Sequence, residues 1–513
     1  MDNDRMPPSV MQAEPSLHPM SPRLLLALVA GLLILAGCRK DLRFTEDGVT
    51  LDFSRDTILF DTVFTTLTTS VTKRFTVRNP DANAVKVDIA LAGGSPSPFR
   101  INVDGLSGDS FEDVEILGKD SIYVFVEVLP SAAGVNTPFL VEDFIRFNAN
   151  GVEGSVLLQV WGQDAVVYRP DQFVQGFPPF SYIAGGFDQN GVQICGETVV
   201  WTPEKPILIL GYAVVDSCNA LVIQPGTRIY VHGGGGLWVY KYGRITAQGL
   251  VDQPIVFQGD RLEPAYQDLP GQWDRIWINE GEANQDHVLE HVQVRNALIG
   301  IQCETFPLDP LAPTSAAKLV LNNVSIRNCS AAGILSRNYR ITSNNLLVAD
   351  AGQFCLALTG GGEYYFNHTT VSNFWSYDVR NDPAFLLTNT YQGIDGVIQV
   401  RDITTSTFQN GIIHGANSNE FLIELEAGAI AEYSFTNYLF RTDQPTSDPL
   451  HFPDQSSIIR NLNPAFVGIG DQHLTAASPC IDRGIFSTIE ALTDLDGQPR
   501  GFPPDLGCYE YVP

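Results

Sequence analysis

Val288–Asn296 reads VLEHVQVRN, and the same nine-residue pattern returns without a gap at Val320–Asn328 (VLNNVSIRN), Thr342–Asp350 (TSNNLLVAD) and Tyr365–Asn373 (YFNHTTVSN). The rows start 32, 22 and 23 residues apart. Their last column is Asn296, Asn328, Asp350, Asn373; the third is Glu290, Asn322, Asn344, Asn367; the seventh is Val294, Ile326, Val348, Val371. Alternating apolar positions have the period of a strand. The Asn and Asp positions favour turns and disfavour helix interiors, so a helical repeat is disfavoured. At about 3.3 Å per extended residue, one repeat traces a loop of roughly 70 Å, the perimeter of one coil of a parallel β-helix. A single coil cannot bury its apolar face, so coils stack on their neighbours. The longer first interval holds a Pro-rich insertion, Phe306–Ala317. Insertions of this kind sit at a corner of the coil and commonly build a binding face.

Outward from these rows the texture changes. Residues 39–165 contain TKRFTVRNP, VKVDIALAGG, SIYVFVEVLP, DFIRFNA and GSVLLQVWG, alternating strands divided by Gly, Asn and Pro. Six or seven strands in roughly 120 residues suggest an Ig-like sandwich. Residues 190–290 have the rhythm of earlier, less regular coils. Their segments PGTRIYV (225–231), GRITAQG (243–249) and PIVFQGDRLEPAYQDLPGQWDRIWI (254–278) resemble the right-handed parallel β-helix lipoproteins of the Bacteroidetes type. The sandwich region resembles the Ig-like modules that precede such helices. The expected class is all-β: an Ig-like sandwich followed by a right-handed parallel β-helix solenoid. The expected division is a leader at 1–37, a sandwich at 38–165, a linker at 166–195, the β-helix at 196–475 and a capping segment at 476–513.

At the N-terminus, Arg23 precedes an apolar run, Leu24–Leu35, too short to span a bilayer. It ends Leu35-Ala36-Gly37-Cys38, which resembles a bacterial lipobox with Cys38 as the lipidated residue. Met20 is the more ordinary start for such a leader. Arg39 follows the cysteine, and by resemblance to enterobacterial sorting rules it points to an outer-membrane lipoprotein. The several acyl chains of a bacterial lipoprotein would anchor it durably. Lys and Arg total 31 against 58 Asp and Glu, a net charge of −27. That charge argues against nucleic acid and against an anionic membrane surface as partners.

Of the eight cysteines, Cys195 and Cys218 flank one short segment, and Cys480 and Cys508 flank another; both pairs are disulfide candidates. No CxxC occurs, so a zinc or redox site of that type is unsupported. The segments Ser478–Gly484, Asp494–Arg500 and Asp505–Tyr511 resemble the "choice-of-anchor Q" ending of many such β-helices, which usually carry Ala where Cys480 and Cys508 stand. The ending is expected to cap the last coil, whose open edge would otherwise invite aggregation.

Four groups of residues carry candidate chemistry. His287-Val-Leu-Glu290-His291 matches a metalloprotease signature that works on a helix. In an extended row its histidines lie roughly 13 Å apart, too far for one zinc, so no metal site is expected. Arg295 and Arg327 share a column and should stack on adjacent coils about 4.8 Å apart. Like charges so close call for an acidic partner or an anionic ligand. With Asp350 and His368 they are the catalytic candidates, and Arg337, Arg340, Asp378 and Arg380 are placed on the same flank. Arg261, Glu263, Tyr266 and Trp273 combine polar and aromatic side chains suited to sugar binding, although Trp273 also fits a core plug. Asp494-x-Asp496-Gly offers Ca²⁺ fewer ligands than a calcium loop needs and reads more readily as a turn; no other cofactor is expected. Asp56-Thr57-Ile58, Asp61-Thr62-Val63 and Asp120-Ser121-Ile122 resemble the O-glycosylation acceptor of Bacteroidetes.

Two functions follow. The first is an envelope-anchored, non-catalytic lipoprotein presenting a surface to a polysaccharide or an envelope protein. The second is a polysaccharide lyase or related carbohydrate-active enzyme on the same scaffold, in which a base takes the proton α to a uronate and a cation offsets its carboxylate. The hydrolase signature of β-helix enzymes is missing: His414-Gly415 stands without its partners.

Overall fold

The computed structural model describes residues 43–66, 71–128, 138–305, 312–486 and 492–513. The expected leader, Cys38 and part of the Pro-rich insertion lie outside the described residues. Nearly all regular structure is strand, and no helix among the described residues is long and apolar enough to cross a membrane.

The N-terminal region is a sandwich of a 5-stranded and a 6-stranded sheet. Ser121–Val128 shows why it folds: Ile122, Val124, Val126 and Val128 point inward and the residues between them outward. They pack on Val85, Val87, Ile89, Phe147, Val156 and Leu158 from the facing sheet.

Beyond it a 21-stranded sheet winds into a right-handed β-helix from Val166–Tyr168 to Ile458–Arg460, with every pairing parallel. It begins earlier than expected. Residues 166–195 do not link two bodies, because Val166–Tyr168 and Phe180–Ala184 pair with the coil above. The register places Val288, Val320, Thr342 and Tyr365 side by side, and Arg295 beside Arg327.

The corners of the coils explain the asparagines. In Ala332–Ala351 the chain turns at Asn338, Asn345 and Asp350, all at positive φ (51°, 51°, 56°). Asn and Asp tolerate this left-handed region better than other side chains. The middle corner repeats as His291, Asn323, Asn345, His368, Asn410 and Asn437. Its side chains form a ladder: Asn345 Nδ2 donates to Asn323 Oδ1 at 2.8 Å, while Asn323 Nδ2 meets His291 Nε2 at 3.3 Å and Asn410 Nδ2 meets His368 Nε2 at 3.4 Å. The last column behaves differently, since the Asn296 and Asn328 amides donate to the carbonyls of Gln267 and Asp268 rather than to each other. Inside the coils the core is mostly aliphatic, with Trp201, Phe257 and Trp273 among the aliphatic side chains, and becomes richer in aromatics toward the C-terminal end, where Phe366, Phe408 and Phe435 stack at 5.5 and 4.4 Å.

The C-terminal segment is not the end cap. That role falls to residues 441–453: the Gln444 amide bonds both the N–H and the C=O of Ile423 as a further strand would, and Phe452 packs on Phe435 and Phe440. Residues 476–486 and 492–513 instead run back along the side of the stack as a strap. Asn437 Nδ2 donates to Arg483 O, Asn410 Nδ2 to Ile485 O and Asn345 Nδ2 to Thr493 O, so successive corners hold successive parts of it. Gly507 (φ +89°) seats against Thr370, where an added Cβ would lie 2.5 Å from Oγ1.

Strap and coils share apolar clusters outside the coil interior. Ile412, Leu439 and Ile459 meet Leu474, Cys480 and Leu506; Leu347 and Ala349 meet Cys508 and Tyr509. Cys480 and Cys508 therefore remain separate thiols: each is buried in its own cluster, and burial pushes both pKa values up to about 12. Cys195 and Cys218 are joined in a disulfide.

The sandwich is stapled to the stack. Arg261 Nη2 donates to Asp61 Oδ1 at 2.9 Å, the Glu263 carboxylate accepts from Thr62 N at 2.9 Å, and Phe64 packs on Tyr230.

Candidate ligand groove

Before the strap reaches the coils of Arg295 and Arg327, their flank opens into a groove of about 600 Å³. Alternation along His287–Arg295 and Leu319–Cys329 turns Val294 and Ile326 into the core and sends Gln293, Arg295, Ser325 and Arg327 outward as the floor. Asp268, from the loop before Trp273–Ile278, forms one wall, and Leu495, Asp496 and Tyr509 of the strap form the other.

The floor arginines have no carboxylate at ion-pair distance among the described residues, although Asp268 offsets Arg295 and Asp350 and Asp471 offset Arg327 from further away. Ion pairs among the described residues engage Arg78, Arg261, Arg275, Arg337, Arg340, Arg380 and Arg500, but neither Arg295 nor Arg327. Arg295 Nη2 donates to Gln293 Oε1 at 3.3 Å and Arg327 Nη1 to Gly470 O at 3.1 Å, both neutral acceptors. Burial pulls the Arg295 pKa below its usual value and the Arg327 charge pulls the same way, against the opposing field of Asp268. An anion between the two guanidiniums would relieve that repulsion.

The strap wall is fixed by His473, which the sequence reading did not single out. Its Nδ1 bonds Asp471 at 2.5 Å, its Nε2 bonds Asp496 at 2.9 Å, and its ring stacks on Tyr509 at 3.9 Å. The hydrogen bond to Asp496, with that to Asp471, raises its pKa to about 9, so the ring is an imidazolium at neutral pH. Burial holds the proton on the Tyr509 phenol well above its usual value.

The other candidates are dispersed. Asp350 turns its corner with its carboxylate accepting from Phe374 N at 3.0 Å, and burial raises its pKa. His368, 2 % exposed, is sealed beneath the strap, where burial and Arg500 hold it neutral. Arg337 pairs with Glu304, Arg340 with Glu363, and Arg380 with Glu420. Arg261 and Glu263 are committed to the sandwich, Tyr266 lies under the Arg261 guanidinium at 3.8 Å, and Trp273, 1 % exposed, sits in the coil core. These four therefore serve a domain contact and a core plug.

His287 is fully buried while His291 occupies a corner, so the HxxEH residues do not converge; no group of three or more metal-ligating side chains occurs among the described residues. Asp494 Oδ1 accepts from Asp496 N and Gln498 N, the bonding of a turn. Thr62 is occupied by Glu263 and Leu262 N, whereas Ser121 is exposed.

One signal for the strap was present in the sequence. The outward position reads Gln293, Ser325, Leu347, Thr370, Ile412, Leu439, Ile459 along the stack. The change from polar to apolar marks where a second layer lands.

No family model and no curated protein matches this chain. Among solved structures, similarity is reported to the E. coli chaperone DraB (TM-score 0.17, 10 % identity, 25 % of this chain and 59 % of that one) and to a PapD-like domain of human CEP192 (0.16, 13 %, 25 % and 92 %). A third is the Vibrio cholerae VesB protease (0.16, 15 %, 22 % and 31 %). The chain thus spans less than two thirds of the chaperone, and at these scores the likenesses carry no argument about function.

Proposed function

We propose that this chain is an envelope-anchored, non-catalytic β-helix lipoprotein whose groove binds an anionic glycan. The observation that carries the reading is the pair Arg295 and Arg327, in register on adjacent coils and without a carboxylate partner among the described residues. Guanidinium forks match carboxylate and sulfate oxygens in geometry and charge. The lipobox-like Leu35–Cys38 supports anchoring through lipid on Cys38 at the outer membrane, and the ending that resembles choice-of-anchor Q fits the same class of exported protein.

A polysaccharide lyase remains the second reading, favoured by a phenol, Tyr509, lining the same groove as Arg327. Against it, burial holds the proton on Tyr509, although Arg327 pulls the other way, and the two aspartates hold a proton on His473, which works against either group as the base.

The test is a glycan array with a parallel turnover assay at the unsaturated-uronate absorbance band. Binding lost in Arg327→Ala without any rise in that band supports the binding reading. A rise abolished by Arg327→Ala would establish the lyase instead, and binding unaffected by the substitution would remove the groove from consideration. Anchoring is tested by palmitate labelling, which Cys38→Ser should eliminate.

A further inference from the structure

The groove is cationic over a very short length. In the register, Arg327 is followed by Ala349 and then Ser372, so the positive column toward the C-terminal end stops at two rungs, about 5 Å apart. Its walls carry the opposite sign. Asp268 faces Arg295 from one side, and Asp496 lines the other, with Asp471 behind it through His473. A ligand anion centred on the arginines meets attraction, while a second anion one sugar further along meets the exposed Asp268 on one wall and, on the other, two carboxylates, Asp471 and Asp496, that share the single positive charge of His473.

The walls also have hydrogen-bonding capacity to spare. Asp496 Oδ2 accepts from His473 and its Oδ1 is left over, and Asp268 is exposed and lines the groove. Ionised carboxylates are acceptors only, so what they match in a saccharide is a hydroxyl. At longer range the chain's net charge of −27 opposes any polyanion approaching from solution.

We infer that the groove selects a saccharide bearing one isolated anionic group, held between Arg295 and Arg327, with neutral hydroxyl-bearing sugars beside it at Asp268 and Asp496, and that it rejects densely charged polyanions. This rests on the binding reading above and narrows its ligand class. The anion's identity, carboxylate or sulfate, is left to the arms of the test, since both fit a guanidinium pair.

The experiment is calorimetry on the full chain with three oligosaccharides of equal length: neutral hexoses carrying a single glucuronate, the same backbone carrying a single sulfate, and a heparin fragment. At least one single-anion probe is expected to bind tenfold or more tightly than heparin, and Arg327→Gln should weaken that probe by tenfold or more. Asp268→Asn, which disturbs no hydrogen bond described above, should narrow the preference over heparin by several fold while the melting temperature stays put. If heparin binds as tightly as the single-anion probes and still needs Arg327, the selectivity is overturned while glycan binding stands. If Asp268→Asn leaves the preference unchanged, the role of the walls is overturned. If no probe shows Arg327-dependent binding, both readings fall.

Discussion

The same flank of the stack is built in two ways. Along the coils of Leu347, Ile412 and Leu439 it is apolar, roofed by the strap and sealed; along the coils of Gln293 and Ser325 it is polar and open. The arginines follow the same division. Arg380, near the covered coils, is buried against both oxygens of Glu420, whereas Arg295 and Arg327 have only neutral acceptors. What sets Arg295 and Arg327 apart from other arginines that bond only carbonyls, such as Arg441 and Arg460, is that the two stand in register side by side in the floor of an open groove.

The largest expected effect breaks the covered side. Glu420→Ala would strand Arg380 in the interior and should cost about 3–5 kcal/mol in chemical denaturation. Leu506→Ala empties the centre of the cluster between strap and coils and should cost about 2–5 kcal/mol, with the strap becoming protease-sensitive before the coils do. Asn345→Ala removes bonds to Asn323, Thr493 and Arg500 together and should cost about 1–3 kcal/mol.

A pH series sharpens the boundary between the two sides. His473 has a folded pKa of about 9 against an ordinary 6.5, so its clamp is fully stabilising below about pH 6.5 and is lost as pH rises through 9. His287 and His414, lowered to about 4, act in the opposite sense: their contribution is present above pH 6.5 and is lost as pH falls toward 4. Thermal melts should therefore peak near neutrality, and His473→Asn should flatten the alkaline limb most, with a smaller effect on the acid limb where Asp471 loses the partner that keeps its pKa low. On the open side the expected effect on stability is smallest: Arg327→Ala should leave it within about 0.5 kcal/mol while abolishing glycan binding. A large loss of stability there would mean that the pair is structural after all.

The coil register was legible because the nine-residue rows repeat without a gap, so Arg295 and Arg327 could be paired on paper. The strap's path was not, because it is set by outward residues such as Leu347 and Ile412, which look like core residues until the register shows which way they face. The groove's second wall was hidden for the same reason: Asp496 and Tyr509 are far from Arg327 in the chain and reach it only after the strap has doubled back. Arg261 and Glu263 misled in another way. A polar and aromatic loop suits a sugar, but it suits a neighbouring domain equally, and no local pattern separates the two uses.

The staple between sandwich and coils has a mechanical side. Arg261 and Glu263, which grip Asp61 and Thr62, belong to the same loop as Asp268. Tension on the N-terminal domain would thus be delivered a few residues from the mouth of the groove, with little slack in between. A molecule tethered at one end and holding a polymer in that groove becomes a force-bearing link, and the lifetime of its bound ligand under load, measured on a chain pulled from its N-terminus, would show whether the loop tightens or releases its grip.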